Sequence, residues 1–254
     1  MLYMNKKDEC RLAKLIRGNI YKLEIIMKKM IVCFVACGLG FLCGSIGLYY
    51  IKAASIPKVY NYGLHHDDGE DRYSWMPIVK NFYEYNSFKR SKVENHHYYD
   101  CFKLKDGFFE ADYLNIHTHG NVGSFEPDDY GLVCLNRSGE TTYYTVSFVR
   151  LQSSNAFRNL RVGYIGACRS AKIGRNMALE LYNHGAKCTI GYRKKVETAK
   201  NRWMITMFNS NFSSGNISVA NSMRNAQKST YAQFGDYGNT DSYEIYGNKY
   251  IEYK

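Results

Sequence analysis

From about residue 57 onwards, short apolar stretches of strand length alternate with segments whose apolar residues recur at helical spacing. The strand-like stretches are residues 58–66, 113–120, 130–135, 141–149, 161–168, 186–192 and 242–253, with a short one at 102–104 after a polar loop over 86–100. The helix-like segments are residues 71–83 and 173–183, a long one that ends before Gly215, and one capped by Asn216. Strands that alternate with helices in this way predict an α/β fold with a mostly parallel central sheet.

A different pattern precedes this region. Residues 30–51, MIVCFVACGLGFLCGSIGLYYI, contain no charged side chain, and a helix of that length spans a bilayer core of roughly 30 Å. The run is longer than the core of a usual signal peptide, which favours an uncleaved membrane anchor. Lys28 and Lys29 directly before it, and the small residues at 53–55, are typical of a cleaved signal, so both alternatives stay open.

More than half of the net charge of +11 lies in residues 1–54, the part of the chain that contains this apolar run. Residues 1–54 hold nine of the 34 basic and three of the 23 acidic residues, so the rest of the chain carries only +5. Basic residues in that position predict a cytoplasmic N-terminus and an exported C-terminal part, and a nucleic-acid-binding function loses its main support. The chain therefore divides into a basic cytoplasmic segment, residues 1–29, the apolar run, and one domain over residues 56–254 at the cell membrane or secreted.

The eight cysteines form no CxxC pair and no cluster at metal-ligand spacing, so a zinc site is not expected. The histidine pair at 65–66, beside acidic residues, is more typical of a solvated loop than of a metal site, because no third ligand is spaced to join it. The cysteines of the domain are Cys101, Cys134, Cys168 and Cys188. A disulfide among Cys101, Cys134 and Cys188 stays open.

Two of the predicted strands deliver a reactive side chain to their carboxyl end. The run YLNIHTHG ends at His119 and Gly120, and RVGYIGACRS leads to Cys168. Ligands of open α/β sheets bind beyond the carboxyl ends of the strands, so this pair predicts a cysteine nucleophile with a histidine base. The backbone N–H groups of Gly120 and Cys168 are expected to hold a developing oxyanion, and the helix after Cys168 to favour its thiolate. Taken singly, the cysteine is more typical of a small buried hydrophobe and the histidine of a loop.

An apolar strand ending in His-Gly, followed about fifty residues later by one ending in Ala-Cys-x-Ser, resembles the motifs of the caspase-like cysteine peptidases. That superfamily includes caspases, gingipains, clostripain-type peptidases and CHAT domains. The later segments GAKCTIGY and GNISVA, and a closing strand around residues 246–248, are similar to its bacterial and CHAT-type members. The resemblance covers residues 57–254. It implies a three-layer sandwich around a mostly parallel sheet, with His119 as the catalytic histidine and Cys168 as the nucleophile.

Candidate substrate-binding residues surround this pair. Asp67 and Asp68 follow the first strand, at the position where caspase-like enzymes often select the substrate side chain, and a carboxylate there favours Arg or Lys. An acidic turn ahead of Gly69 is an equally good interpretation of the two aspartates. His117 either lines the pocket or packs, and Ser170 is expected to border the cleft. No cofactor is indicated, and a calcium requirement stays open.

Two functions of different classes follow. The first is a membrane-tethered or secreted cysteine endopeptidase that acts on a protein or peptide substrate through the His119–Cys168 dyad. The second is a catalytically inactive caspase-like domain that binds a partner at the cell envelope and carries an ordinary thiol. A weaker third alternative is an acyl transferase or ligase that uses the same dyad, but the order of histidine before cysteine favours the peptidase.

Overall fold

The structure, a computed structural model, describes residues 56–64, 73–86, 89–97, 101–122, 129–135, 138, 140–174 and 176–253. The basic segment 1–29 and the apolar run 30–51 lie outside these residues, so membrane insertion stays a prediction. Within the described ranges, no helix combines the length and the apolar character needed to cross a bilayer.

Strands and helices alternate along the domain. The strands are β1 (Lys58–Gly63), β2 (Lys92–His96), β3 (Tyr113–His117), β4 (Gly120–Val122), β5 (Tyr130–Leu135), β6 (Thr141–Thr145), β7 (Val162–Gly166), β8 (Cys188–Tyr192) and β9 (Tyr243–Gly247). The helices are α1 (Trp75–Glu84), α2 (Cys101–Glu110), α3 (Val146–Arg150), α4 (Met177–Asn183), α5 (Thr198–Ser213) and α6 (Val219–Phe234).

The main sheet has six strands in the order β2-β1-β3-β7-β8-β9. All neighbouring pairs in it are parallel except β8 and β9, which run antiparallel. A separate antiparallel sheet joins β4, β5 and β6 in that order. Because β4 begins three residues after β3 ends, the small sheet grows directly out of the carboxyl edge of the main one.

Helices cover both faces of the main sheet, which is why its central strands β3, β7 and β8 are buried along their whole length. On one face Tyr113 and Tyr164 pack against residues of α1, α5 and α6. On the other face Leu114 and Ile165 pack against residues of α2, α3 and α4. The predicted α/β sandwich of three layers around a mostly parallel sheet is therefore confirmed.

Two local predictions are wrong. The polar stretch 86–100 contains β2, which the sequence hides because only Val93 and His96 of this strand are buried. Residues 102–104 belong to helix α2 and not to a strand. The helix contains Gly107, where a Cβ atom would lie 2.6 Å from a ring carbon of Tyr62, so the close approach of that ring explains a residue that is otherwise unfavourable in a helix.

Two further segments begin or end differently from their predictions. Residues 141–149 divide into β6 and α3, because the Thr145 hydroxyl accepts a hydrogen bond from the Phe148 N–H and caps the helix. Helix α4 begins at Met177 after an Asn176 cap, and Ile173, predicted to lie on its apolar stripe, is 87% exposed.

Candidate active site

The site is built from the ends of two neighbouring parallel strands, β3 and β7. Their register pairs His117 with Gly166, and His119 and Cys168 each follow two residues later along the chain. The Gly166 carbonyl holds this edge, because it accepts hydrogen bonds from the Thr118 N–H at 3.2 Å and from the Asn201 amide at 2.9 Å. The two residues that the sequence singles out thus leave the sheet side by side at its carboxyl edge.

Cys168 lies in a turn directly after β7 and is half-buried. Its side chain packs on the face of the sheet covered by α1 and α5, which is also the face of His117. The sulfur accepts from the Val196 N–H at 3.4 Å and lies 3.7 Å from the Val196 carbonyl, to which a protonated thiol donates. The loop between β8 and α5 therefore forms one wall of the thiol's environment.

The chain turns sharply after the thiol. Arg169 has a φ of +59°, in the left-handed region that residues other than glycine seldom adopt, and its N–H donates to the Lys194 carbonyl at 3.0 Å. The helix predicted over residues 173–183 begins only at Met177, nine residues after the thiol. Its amino end lies near Ser170 instead, because the Ala178 N–H donates to the Ser170 carbonyl at 3.1 Å. That the start of this helix favours the thiolate stays a prediction.

Gly120 lies against the main chain of Cys168. A Cβ atom at position 120 would overlap both the Cys168 carbonyl oxygen and the Tyr130 hydroxyl, so only glycine fits between them. The Val133 N–H donates to the His119 carbonyl at 2.9 Å, so His119 and Val133 form a hydrogen-bonded pair. Successive residue pairs along an antiparallel ladder alternate between hydrogen-bonded and non-hydrogen-bonded. Gly120 and Leu132 are consequently a non-bonded pair, and the Gly120 N–H points away from β5.

The Cys168 N–H is also available. In the part of the chain that the structure describes, no backbone carbonyl accepts a hydrogen bond from this N–H group. The N–H groups of the neighbouring residues Ala167, Arg169 and Ser170 all donate to backbone carbonyls. The site thus offers a half-buried imidazole, a half-buried thiol and two backbone donors at one edge of the sheet. These are the parts that acyl transfer to a cysteine requires.

Tyr130 is a residue of the site that the sequence analysis missed. Its ring is 4% exposed, and its hydroxyl donates to the Cys168 carbonyl at 2.8 Å. Burial raises the pKa of this phenol well above its usual value, with the nearby Cys168 adding to the effect. Nothing in the local sequence marks it, because a tyrosine at the start of a buried strand is usual among the many tyrosines of this chain.

His117 is buried and packs beside Trp75 at a ring-centroid separation of 6.4 Å, so it does not line an open pocket. Burial lowers the pKa of its imidazole to about 3, helped by the positive charge of Arg202, while a hydrogen bond with the Thr198 backbone acts in the opposite direction. The Nε2 atom has no hydrogen-bond partner among the described residues. His117 is therefore a neutral packing residue, two positions before His119 in the sequence.

Ser170, predicted to border the cleft, is fully buried. Its hydroxyl donates to the Ile165 carbonyl at 2.7 Å and accepts from the Tyr192 N–H at 3.0 Å, so it joins β7 to β8 instead of facing substrate. Asp67 and Asp68 lie outside the described residues, as does the histidine pair at 65–66, and their predicted roles stay predictions.

The described residues contain no group of three or more His, Cys, Asp or Glu side chains placed to hold a metal ion. Cys134, Cys168 and Cys188 are free thiols. A disulfide between Cys134 and Cys188 is incompatible with this fold, because the two sulfurs belong to cores on opposite faces of the main sheet. The side chain of Cys101 lies outside the described part.

No protein family and no curated protein sequence matches this chain. Among solved structures, it resembles the Arg-specific cysteine proteinase gingipain R, with a TM-score of 0.57 and 12% identity over 77% of this chain and 47% of that one. A complex of the pro- and mature domains of RgpB from Porphyromonas gingivalis gives a TM-score of 0.53 at 12% identity, over 77% of this chain and 48% of that one.

The chain spans about half the length of these structures. At such low identity the likeness concerns the arrangement of strands and helices and carries no residue or activity with it. The described part of the domain therefore shares its fold with gingipain R.

Proposed function

We propose that this protein is a cysteine endopeptidase in which Cys168 is the nucleophile and His119 the general base and acid. The Cys168 sulfur attacks the carbonyl carbon of a peptide bond, and its proton passes to His119. The C–N bond breaks as His119 returns that proton to the leaving amine. Water then adds to the thioacyl carbonyl, the S–C bond breaks, and the thiol and the carboxylic acid product are formed.

One observation carries the proposal: the β3–β7 register brings His119 and Cys168 to adjacent strand ends at the carboxyl edge of the main sheet. Ligands of open α/β sheets bind at this edge. The Gly120 and Cys168 N–H groups support it, because oxyanion stabilisation needs donors that no other acceptor occupies. The gingipain-like fold supports the same reaction class as an analogy.

The substrate side of the proposal is a peptide or protein cut after Arg or Lys. It rests on the sequence positions of Asp67 and Asp68, which come four and five residues after Gly63, the last residue of β1. The structural neighbour gingipain R, whose specificity is for Arg, has a related fold. Side-chain preference is measured most directly with peptides that differ only in Arg, Lys, Ala or Asp before the scissile bond.

The test of the function compares the purified full chain with its Cys168→Ala variant on such peptides. We expect hydrolysis by the parent chain and loss of more than about a thousandfold in kcat/KM for the variant. Cys188→Ala is the matched control, because that thiol is fully buried at the amino end of β8, away from the carboxyl ends of the strands where the dyad lies. Equal hydrolysis by the parent and Cys168→Ala chains would end the proposal.

A catalytically inactive binding module is the second candidate, and one observation favours it. The Cys168 sulfur contacts the Val196 carbonyl at 3.7 Å, a contact that suits a protonated thiol. This candidate predicts that iodoacetamide alkylates Cys168 at the same rate whether or not His119 is present. The peptidase predicts that alkylation of Cys168 slows in His119→Ala.

A further inference from the structure

The Tyr130 hydroxyl connects three segments that are separate in the sequence. It donates to the Cys168 carbonyl at 2.8 Å, and it lies against the Cα atom of Gly120 so closely that no side chain fits there. Tyr130 itself belongs to β5, where it pairs with Val122 of β4. The end of β3, the end of β7 and the small sheet thus meet at one phenolic oxygen.

The peptide group between Cys168 and Arg169 is held at both of its polar atoms. Its carbonyl accepts from Tyr130, and its N–H donates to the Lys194 carbonyl at 3.0 Å. Arg169 adopts its left-handed φ of +59° at this point, a conformation that is unfavourable for a side chain with a Cβ atom. Strained backbone persists only where surrounding contacts over-determine it, and these two hydrogen bonds supply that constraint.

The phenol is suited to a permanent structural donor. Burial raises the pKa of Tyr130 well above its usual value, so the hydroxyl keeps its proton throughout the pH range in which peptidases act. Because the ring is buried, the hydrogen bond is shielded from competing water and its loss leaves the Cys168 carbonyl poorly solvated. The same oxygen packs on Gly120, so a single group sets the separation of the two strand ends.

We propose that Tyr130 is a positioning residue that holds the main chain of Gly120 and Cys168 at the spacing required for an oxyanion site. The inference rests on the proposed function for its catalytic consequence. Tyr130 touches neither the substrate nor the reacting atoms in this scheme. It acts through the two backbone donors, whose separation decides how well they stabilise charge on the substrate oxygen.

The test uses Tyr130→Phe, which removes only the hydroxyl, and Tyr144→Phe as its matched control. Tyr144 lies in the same small sheet on β6, and its buried hydroxyl has no hydrogen-bond partner in the described part of the chain. We expect kcat of Tyr130→Phe to fall by about tenfold to a hundredfold with KM within about twofold, because misplaced donors weaken transition-state binding alone. Tyr144→Phe is expected to match the parent chain in both constants.

The affinity for a peptide aldehyde is a second readout, and a lower fraction of folded protein does not change it. The Cys168 sulfur adds to the aldehyde carbon as its proton passes to His119, the C=O π pair moves to oxygen, and that oxygen occupies the oxyanion position. We expect Tyr130→Phe to bind the aldehyde about tenfold or more weakly while its rate of alkylation by iodoacetamide, which forms no oxyanion, stays unchanged.

Hydrogen exchange tests the positioning itself without any need for activity. The Arg169 N–H, protected by Lys194, is expected to exchange about tenfold faster in Tyr130→Phe than in the parent chain or in Tyr144→Phe. Unchanged exchange, or kcat and aldehyde affinity within about twofold of the parent, would overturn the inference. If the parent chain shows no Cys168-dependent hydrolysis, the proposed function fails while exchange at Arg169 still decides the role of Tyr130.

Discussion

At the scale of single residues, the three described thiols have distinct environments. Cys168 is half-buried at a turn, whereas Cys134 and Cys188 have no exposed surface. Burial raises the pKa of the Cys188 thiol to about 12, so almost no thiolate forms there at neutral pH. Since the thiolate is the nucleophile, only one of these three sulfurs is open to reagents in the folded chain.

We therefore expect brief treatment of the native protein with iodoacetamide near neutral pH to modify Cys168 at least about a hundredfold faster than Cys134 or Cys188. Peptide mapping by mass spectrometry gives the three rates side by side. Addition of urea provides the control, because unfolding exposes all three thiols and brings their rates together. Comparable labelling of Cys188 in the native chain would contradict the burial described for it.

His117 makes stability depend on pH. Burial lowers the pKa of His117 from 6.5 to about 3, so the folded chain leaves this imidazole neutral where the unfolded chain binds a proton. The folded state therefore loses stability as pH falls from 6.5 towards 3, by roughly 1.4 kcal/mol per pH unit for this one group. Urea unfolding at several pH values measures this slope.

Replacement of His117 by Asn removes the titrating group and is expected to flatten the dependence in that window, whatever its effect on stability at neutral pH. The slope of the free energy of unfolding against pH reports the titration of His117, whereas the absolute free energy also contains the effect of the substitution on packing. A variant whose free energy of unfolding falls with pH as steeply as that of the parent would show that His117 is not the source.

At the scale of elements, a chain of asparagine amides fixes the register of the strands beneath the site. Asn61 on β1 donates to Asn95 on β2 and accepts from Asn115 on β3, with both distances 2.9 Å and all three in register. Asn115 in turn accepts from Asn209 of α5 at 2.9 Å, and Asn209 accepts from Tyr83 of α1 at 2.7 Å. A one-residue slip of β3 would break this chain and move His119 away from Cys168.

Asn115→Leu is expected to destabilise the fold by about 3 kcal/mol, because the buried Asn61 amide oxygen and one of the two N–H groups of the Asn209 amide lose their partners. Asn95→Ala, at the half-buried end of the chain of amides, leaves a single N–H of Asn61 without its partner and is the comparison variant, with an expected loss of about 1 kcal/mol. Urea unfolding measures both. Equal losses for the two variants would show that the interior of the network adds nothing specific.

The strands and helices that were predicted correctly are those whose pattern comes from burial. β3, β7 and β8 are buried along their whole length, and such apolar runs are visible in the sequence. β2 lies at the edge of the sheet, and α2 contains an aspartate and a glycine, so local pattern alone favours loop or strand for them. Their structures depend on contacts made by distant residues such as Tyr62, which a single sequence does not reveal.

The same limit applies to the site. His119, Gly120 and Cys168 are predicted as site residues because parallel strands bring their carboxyl ends to one edge, a rule that needs no coordinates. Tyr130 reaches the Cys168 carbonyl through the small sheet, and Val196 reaches the Cys168 sulfur through the β8–α5 loop. No periodicity in the sequence encodes those approaches, and the burial of His117 and Ser170 likewise depends on neighbours far along the chain.

At the scale of the whole molecule, the apolar run 30–51 is predicted to attach the domain to a membrane. We expect the full chain to remain in the membrane fraction after alkaline carbonate extraction, and a chain lacking residues 1–51 to be soluble. A membrane-impermeant maleimide applied to intact cells is expected to label Cys168, because the basic flank keeps the N-terminus inside. Labelling only after lysis would contradict this orientation.

The central claim is that His119 and Cys168 act as one unit, and a double-mutant cycle tests it most directly. The measurement is kcat/KM for peptide hydrolysis by the parent chain, His119→Ala, Cys168→Ala and the chain with both changes. Residues that share one proton-transfer step are strongly non-additive, so we expect each single variant to lose nearly as much as the double variant. Losses that simply add, or a His119→Ala variant as active as the parent, would contradict the account.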